Sequence, residues 1–224
     1  MNIVLANSIG IDSNGYYIVH SPSRWSFGVK NYSEVFTYYP WELAYTSSLL
    51  KKETNHNVRF IDGCLNKLDA EVLYSVILNI KPDILIMEPS ARTITEDLKV
   101  ANYVKRDTNC IVIFTGAYAT FFYKDLLEKR IIDHTVSGEY EESILEFIKG
   151  KAIATIPGFD GNRNTKLVDF NKLPWPEDND VSRYKYALQG EPNCEYREIQ
   201  AYASRGCVYR CNFCAAANLY YNKP

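Results

Sequence analysis

The sequence predicts an α/β protein built on an open, doubly wound parallel sheet of five strands, and three observations carry that prediction. Over residues 1–150, short β-branched apolar runs alternate with amphipathic stretches of helical period. The runs are apolar at consecutive positions, as in strands covered on both faces. Beyond Gly150, proline and turn residues end the alternation.

The five strands are read at residues 2–6, 58–61, 83–87, 111–115 and 131–136. A first helix over 41–52 follows Pro40, a residue suited to a first helical turn. Leu68, Val72, Leu73, Val76 and Ile77 mark the apolar stripe of a second. Thr93-Ile94-Thr95-Glu96 reads as a capping box ahead of Leu98, Ala101 and Val104 in a third. A short fourth helix is expected over 122–129. A fifth over 141–148 carries acidic residues in its first turn, where the helix dipole favours them. Strand-helix units in this order imply right-handed crossovers in one sheet.

Residues 10–40 give no firm assignment beyond local structure around Asn14-Gly15 and the following Tyr16, Tyr17, Ile18 and Val19. Ile156-Pro157-Gly158, Asp160-Gly161-Asn162 and Leu173-Pro174-Trp175-Pro176 mark 151–195 as a linker with one small hairpin. A strand-like run over 199–203 opens a third segment, 196–224.

Composition narrows the function. The 224 residues amount to about one and a half domains. With 46% hydrophobic and 23% charged residues the chain can bury a core, which excludes disordered and fibrous classes. Twenty-five Lys+Arg against 27 Asp+Glu leave a net charge of −2, with no block of like charge. Neither that balance nor the scattered tyrosines indicate a nucleic-acid partner. No apolar stretch approaches the ~18 residues of a membrane span, and the N-terminus lacks a basic region and a long apolar one. The chain therefore reads as soluble and cytoplasmic.

Of six cysteines, Cys64, Cys110 and Cys194 stand apart, whereas Cys207, Cys211 and Cys214 crowd into the stretch Ser204-Arg205-Gly206-Cys207-Val208-Tyr209-Arg210-Cys211-Asn212-Phe213-Cys214. Crowding favours a metal or redox site over a disulfide framework. A closed zinc site needs four ligands, so zinc would require Cys194 or a residue elsewhere as the fourth. An iron–sulfur cube held by three cysteines keeps one iron open for a ligand. Cys64 and Cys110 read as small buried hydrophobes.

Cys-x3-Cys-x-aromatic-Cys, preceded by Ser-Arg-Gly at the end of a strand, resembles the signature of the radical S-adenosylmethionine (SAM) superfamily. That resemblance implies a [4Fe–4S] cluster on Cys207, Cys211 and Cys214, with its open iron chelating SAM. It also implies that Phe213 lies beside the adenine, that SAM is cleaved to a 5′-deoxyadenosyl radical, and that an electron donor such as flavodoxin or ferredoxin is a partner.

In the first 150 residues, Pro40-Trp41-Glu42-Leu43-Ala44, Thr115-Gly116-Ala117-Tyr118-Ala119-Thr120 and Ser137-Gly138-Glu139-Tyr140-Glu141 resemble, in that order, the Rossmann-like cobalamin-binding domain fused ahead of many radical SAM enzymes. Leu173-Pro174-Trp175-Pro176 has a counterpart in its linker. The family's Gly-Gly at the second site is here Thr115-Gly116. Open α/β sheets bind ligands outside the carboxyl ends of their strands. Cobalamin contacts are accordingly expected at Asn7, Ser8, Asp62, Glu88, Ser90, Thr115, Gly116, Ala117, Ser137, Gly138 and Glu139. None of His20, His56 and His134 fits the Asp-x-His-x-x-Gly pattern, so no histidine is expected on cobalt.

The resemblance implies a cobalamin-dependent radical SAM enzyme, with methyl transfer to an unactivated carbon of a small-molecule or peptide substrate as its reaction. Two alternatives remain at this point. One is a radical SAM enzyme whose first domain binds no cobalamin; the other is a non-catalytic cobalamin or nucleotide module with an inert or zinc-binding cysteine tail. A radical SAM (β/α) barrel needs on the order of 200 residues after its first strand. Ten follow Cys214. The expectation is that residues 196–224 only begin that barrel and that the chain alone is inactive.

Overall fold

A computed structural model describes residues 1–18, 28–31, 37–162, 164, 167–189, 201, 204–206, 209 and 211–214. The expected five-stranded parallel sheet is present. Its strands are β1 (Asn2–Asn7), β5 (Asn57–Asp62), β6 (Ile84–Met87), β7 (Ile111–Thr115) and β8 (His134–Val136), in the order β5-β1-β6-β7-β8. Asn2 faces Asn57, Ile3 faces Ile84, Ile84 faces Ile111 and Ile113 faces His134, so the carboxyl ends of all five strands lie along one edge. The chain moves outward from β1 in both directions, which makes the crevice between β1 and β6 the topological switch point.

Consecutive apolar residues supply both faces of each strand. Ile3 and Leu5, Ile84 and Ile86, and Ile113 enter one core with α1 (Trp41–Glu53) and α5 (Glu141–Ile148). Val4 and Ala6, Leu85 and Met87, and Val112 and Phe114 enter the other. That second core is completed by α2 (Ala70–Ile80), α3 (Ile94–Asp107) and α4 (Gly116–Glu128). The period of two along each strand thus accounts for the unbroken apolar runs.

Several boundaries differ from the sequence reading. Helix α2 is capped by Asp69, whose carboxylate accepts from Val72 N at 2.8 Å, and it buries Ala70, Leu73 and Ile77 while Val72 is exposed. The Thr93 capping box does not form, because the Thr93 hydroxyl donates to Asp97 at 2.6 Å instead. Helix α4 starts at Gly116 rather than residue 122. Phe122, where the shorter helix was expected to begin, is a break inside it with φ −112° and ψ 27°. Strand β8 is three residues long and starts at His134.

The early segment adds a second, antiparallel sheet of β2 (Gly10–Ile11), β3 (Tyr17–Ile18) and β4 (Gly28–Val29). Asp12 closes its first turn by accepting from Asn14 N and Tyr16 N, both at 2.9 Å. Among the described residues of 151–195 there is no hairpin. Ile153–Thr155 form a 3-10 turn, Phe159 makes a single bridge to Val136, and Arg183–Gln189 form a helix, α6. Ile156, Phe159 and Val181 join the α1/α5 core, so this segment packs onto the sheet domain. Of the strand expected over 199–203 only Ala201 is described, and it lies in no strand. No helix among the described residues is long and apolar enough to cross a membrane.

Candidate functional site

All eleven residues expected to contact cobalamin lie at the carboxyl edge of the sheet or in the loops that follow it. The structure brings them together and engages most of their polar atoms with other residues of the protein. Around the switch point, Asn7 Oδ1 accepts from Gly63 N at 2.9 Å. The Ser8 hydroxyl donates to Asp97 at 2.5 Å, and Asp97 also receives Thr93, whose hydroxyl lies 3.0 Å from Ser90 Oγ. Asp97 therefore joins the loops after β1 and β6. Burial pushes its carboxyl up to about 7, against the pull of the Ser8 and Thr93 hydrogen bonds.

Next to it, Asp62 accepts from Leu65 N at 3.0 Å and from the Tyr186 hydroxyl of α6. Burial raises the Asp62 pKa despite these donors, and raises that of the Tyr186 phenol. At the other flank, Thr115 Oγ1 donates to Val136 O at 3.0 Å. Ser137 Oγ donates to Gly158 O at 3.2 Å. Gly138 N donates to Thr120 Oγ1 at 3.0 Å, and Glu139 accepts from Val168 N at 2.6 Å.

Gly116 stands at φ +81°, where a Cβ would come within 2.4 Å of Glu88 Oε1. A glycine is required there on both counts. Glu88 itself is buried and accepts from the Tyr140 hydroxyl at 3.1 Å. Its pKa lies well above the usual carboxylate range, first because of burial and then because Glu42 lies nearby. Glu42, at the start of α1, is also raised by burial. Glu141, at the start of α5, is pushed by burial up to about 7.

These three glutamates surround one cation from the cysteine motif. Arg205 Nη1 donates to Glu141 Oε1 at 2.6 Å, and Nε lies 4.0 Å from Glu42 Oε1. The guanidinium lies 4.8 Å from the Phe170 ring centroid and 5.8 Å from that of Tyr45. Nine residues on, Cys214 N donates to Cys211 O at 2.9 Å in a turn that carries an exposed Cys211 and a half-buried Cys214. Phe213 between them is 92% exposed. Cys207 lies outside the described residues.

The two cysteines on one exposed turn fit as ligands to a cluster, and Phe213 is free of core packing. The fit to cobalamin is narrower. Ser90, Ala117 and Ser137 keep partial exposure at the edge, whereas Asn7, Ser8, Asp62, Glu88, Thr115, Gly116, Gly138 and Glu139 are buried in the protein's own contacts. A Cβ at Gly138 would meet Asn164 at 3.3 Å, so both glycines expected to contact cobalamin are packed against side chains.

The three histidines differ in place. His134 pairs with Asp160 at 2.8 Å and packs edge-on against the stacked Phe147 and Phe159 rings. His56 precedes β5, at the opposite edge of the sheet, and His20 lies outside the described residues. Cys64 and Cys110 are buried as expected, and burial pushes the Cys110 thiol up to about 12.

Sequence reasoning missed Asp97 and Tyr186, which nothing local marks, and Tyr140, which stands inside a recognised motif, as parts of this edge. Glu42, Glu141 and Arg205 stood inside recognised motifs without a role. Glu141, placed by the sequence in the first turn of α5, has its side chain fully buried against Arg205.

No protein-family model matches the chain. An uncharacterized methyltransferase of Pyrococcus horikoshii is 26% identical over 193 residues, covering 80% of this chain and 40% of that protein. An anaerobic magnesium-protoporphyrin IX monomethyl ester cyclase of Cereibacter sphaeroides is 26% identical over 195 residues, covering 79% of this chain and 31% of its own length. The chain thus spans less than half the length of either relative.

Among solved structures, the cobalamin-dependent S-adenosylmethionine radical enzyme OxsB, with aqua-cobalamin and S-adenosylmethionine bound, matches at TM-score 0.59 and 15% identity. The match covers 84% of this chain and 25% of OxsB. The radical S-adenosylmethionine methyltransferase TsrM of Kitasatospora setae, with cobalamin and a [4Fe–4S] cluster bound, matches at TM-score 0.50 and 18% identity, over 70% of this chain and 28% of TsrM. In fold, then, the chain resembles part of these cobalamin-binding radical SAM enzymes, and in sequence it is similar to part of the methyltransferase and of the cyclase.

Proposed function

We propose that the chain forms the cobalamin-domain and cluster-loop portion of a radical SAM enzyme whose reaction is methyl transfer to an unactivated carbon. One observation carries this reading: the loop bearing Cys211 and Cys214 is joined to the carboxyl edge of the sheet through Arg205 and Glu141. A cluster on that loop would therefore lie close to any ligand at the edge. Cys207, Cys211 and Cys214 are the proposed cluster ligands, Phe213 the SAM-side aromatic, and Ser90, Ala117 and Ser137 the proposed edge contacts to cobalamin. When bound, these cofactors supply radical generation and methyl carriage; the protein supplies placement and exclusion of water. An electron donor of the flavodoxin or ferredoxin type and a cytoplasmic location belong to the same proposal.

Anaerobic reconstitution tests it. About four irons per chain, with an electron paramagnetic resonance signal after reduction, is the expected result. A colourless protein with stoichiometric zinc would overturn it.

A second reading keeps the cluster and removes cobalamin. It is favoured by Gly116 and Gly138, whose open sides are filled by Glu88 and Asn164. Titration with hydroxocobalamin separates the two: saturable binding, weakened by Ser137→Trp, supports the first reading, and no binding supports the second.

A further inference from the structure

Arg205 stands two positions before the first cysteine of the motif, yet its side chain is 1% exposed. A guanidinium is buried at this cost only when charge and shape are both answered. Here Glu141 takes Nη1 at 2.6 Å, Glu42 lies 4.0 Å from Nε, and the plane is lined by Phe170 from the linker and Tyr45 from α1. The receiving carboxylates come from the first turns of two helices that flank the same core, α1 and α5. Glu42 Oε2 and Glu141 Oε2 have no hydrogen-bond partner among the described residues. The nest thus holds more buried acid than it can satisfy internally, and it takes its cation from a segment 64 residues further along the chain.

Neighbouring exposure sharpens the point. Gly206 is exposed at φ +102°, Tyr209 is 70% exposed and Phe213 92% exposed. Among the described residues of 204–214, Arg205 is therefore the one buried anchor, and it carries a charge-matched partner.

We propose that Arg205 is a positioning residue: its guanidinium, seated between Glu42 and Glu141, latches the cysteine loop onto the carboxyl edge of the sheet and so sets where a cluster sits relative to that edge. The latch itself is a property of this chain's own residues; the statement about the cluster rests on the reading of the cysteines given above. Arginine suits the role because its planar fork can reach two carboxylates while its faces stack on aromatic rings. A lysine would keep the charge and lose the stack.

The test uses hydrogen–deuterium exchange on the whole chain, without added cofactor, for wild type, Arg205→Met and Arg205→Lys. Exchange in peptides covering 204–214 is expected to rise at least tenfold in Arg205→Met, with an intermediate rise in Arg205→Lys, while β1 and β6 exchange as in wild type. Exchange over 204–214 within twofold of wild type in Arg205→Met would overturn the latch. Should Arg205→Met loosen the whole chain, Glu141→Gln decides, because it keeps the shape of the nest and removes the charge. Faster exchange confined to 204–214 then supports the latch, and unchanged exchange there overturns it. Iron content of reconstituted wild type is measured in parallel. A wild type that takes up no iron removes the reading of the cysteines as cluster ligands, while the exchange result still decides the latch.

Discussion

On the β5–β1 flank of the sheet edge, the buried acids Asp62 and Asp97 are answered by hydroxyls, from Tyr186 for one and from Ser8 and Thr93 for the other. On the β6–β8 flank, Glu42, Glu88 and Glu141 gather around one guanidinium from residue 205, with the Tyr140 hydroxyl on Glu88. Hydroxyl donors stabilise either protonation state of a carboxyl, so the first arrangement stands without a cation. A nest of glutamates is different. It must be protonated or receive a cation, and the cation here arrives with the cysteine motif. The difference teaches that one half of the edge is completed by hydroxyls, one of them from α6 in the linker, and the other by a cation from the segment after the linker.

The sharpest break is at Gly116. Gly116→Ala places a Cβ against Glu88 at an unfavourable φ, and a loss of about 2–4 kcal/mol in denaturant unfolding is expected. A change below about 0.5 kcal/mol would show that the acid nest yields easily.

Asp97 gives the next effect, and its sign follows from linkage. A carboxyl raised in the folded state to about 7 from 3.8 holds a proton that the unfolded chain has released. Its contribution is complete below about pH 4 and is lost as pH rises towards 7. Asp97→Asn stays neutral, so wild type should lose roughly 3 kcal/mol relative to this variant between pH 4 and 7. Unfolding curves across that range check it, and a pH-independent difference would contradict it.

Tyr186→Phe removes the phenol from Asp62 and should cost about 1–2 kcal/mol, measured by the same unfolding curves. Glu88→Gln is expected to be the mildest, within about 1 kcal/mol at neutral pH, because burial favours the uncharged form of Glu88 and an amide carbonyl can still accept from Tyr140. A large loss there would mean that Glu88 carries charge in the folded chain, making the two flanks less alike still.

Much of the fold was legible because its causes are local. Apolar runs such as Ile84-Leu85-Ile86-Met87 must face two cores, and the helices between them display their own stripes. Boundaries failed where a side chain had a distant alternative. Thr93 gave up its capping role for Asp97, and Gly116 began a helix in a conformation set by Glu88 rather than by its own neighbours. The site was legible as a set of loop ends, since a parallel sheet aligns the residues that follow its strands. Their state was not legible: Ser8, Asp62 and Glu139 look like ligand contacts in sequence and are internal hydrogen-bond partners in the structure.

By itself the sequence determined the doubly wound sheet, the cysteine spacing and the likeness to cobalamin-domain radical SAM enzymes, because periodicity and motif spacing are properties of neighbouring residues. Only the tertiary structure decided that Ile156, Phe159 and Val181 pack back onto the sheet domain, and that Glu42, Glu141 and Arg205 form one buried cluster. Those residues lie far apart in the chain, and burial is what makes them matter to one another: away from water, an acid without a donor or a cation is costly, so the fold must bring one to it.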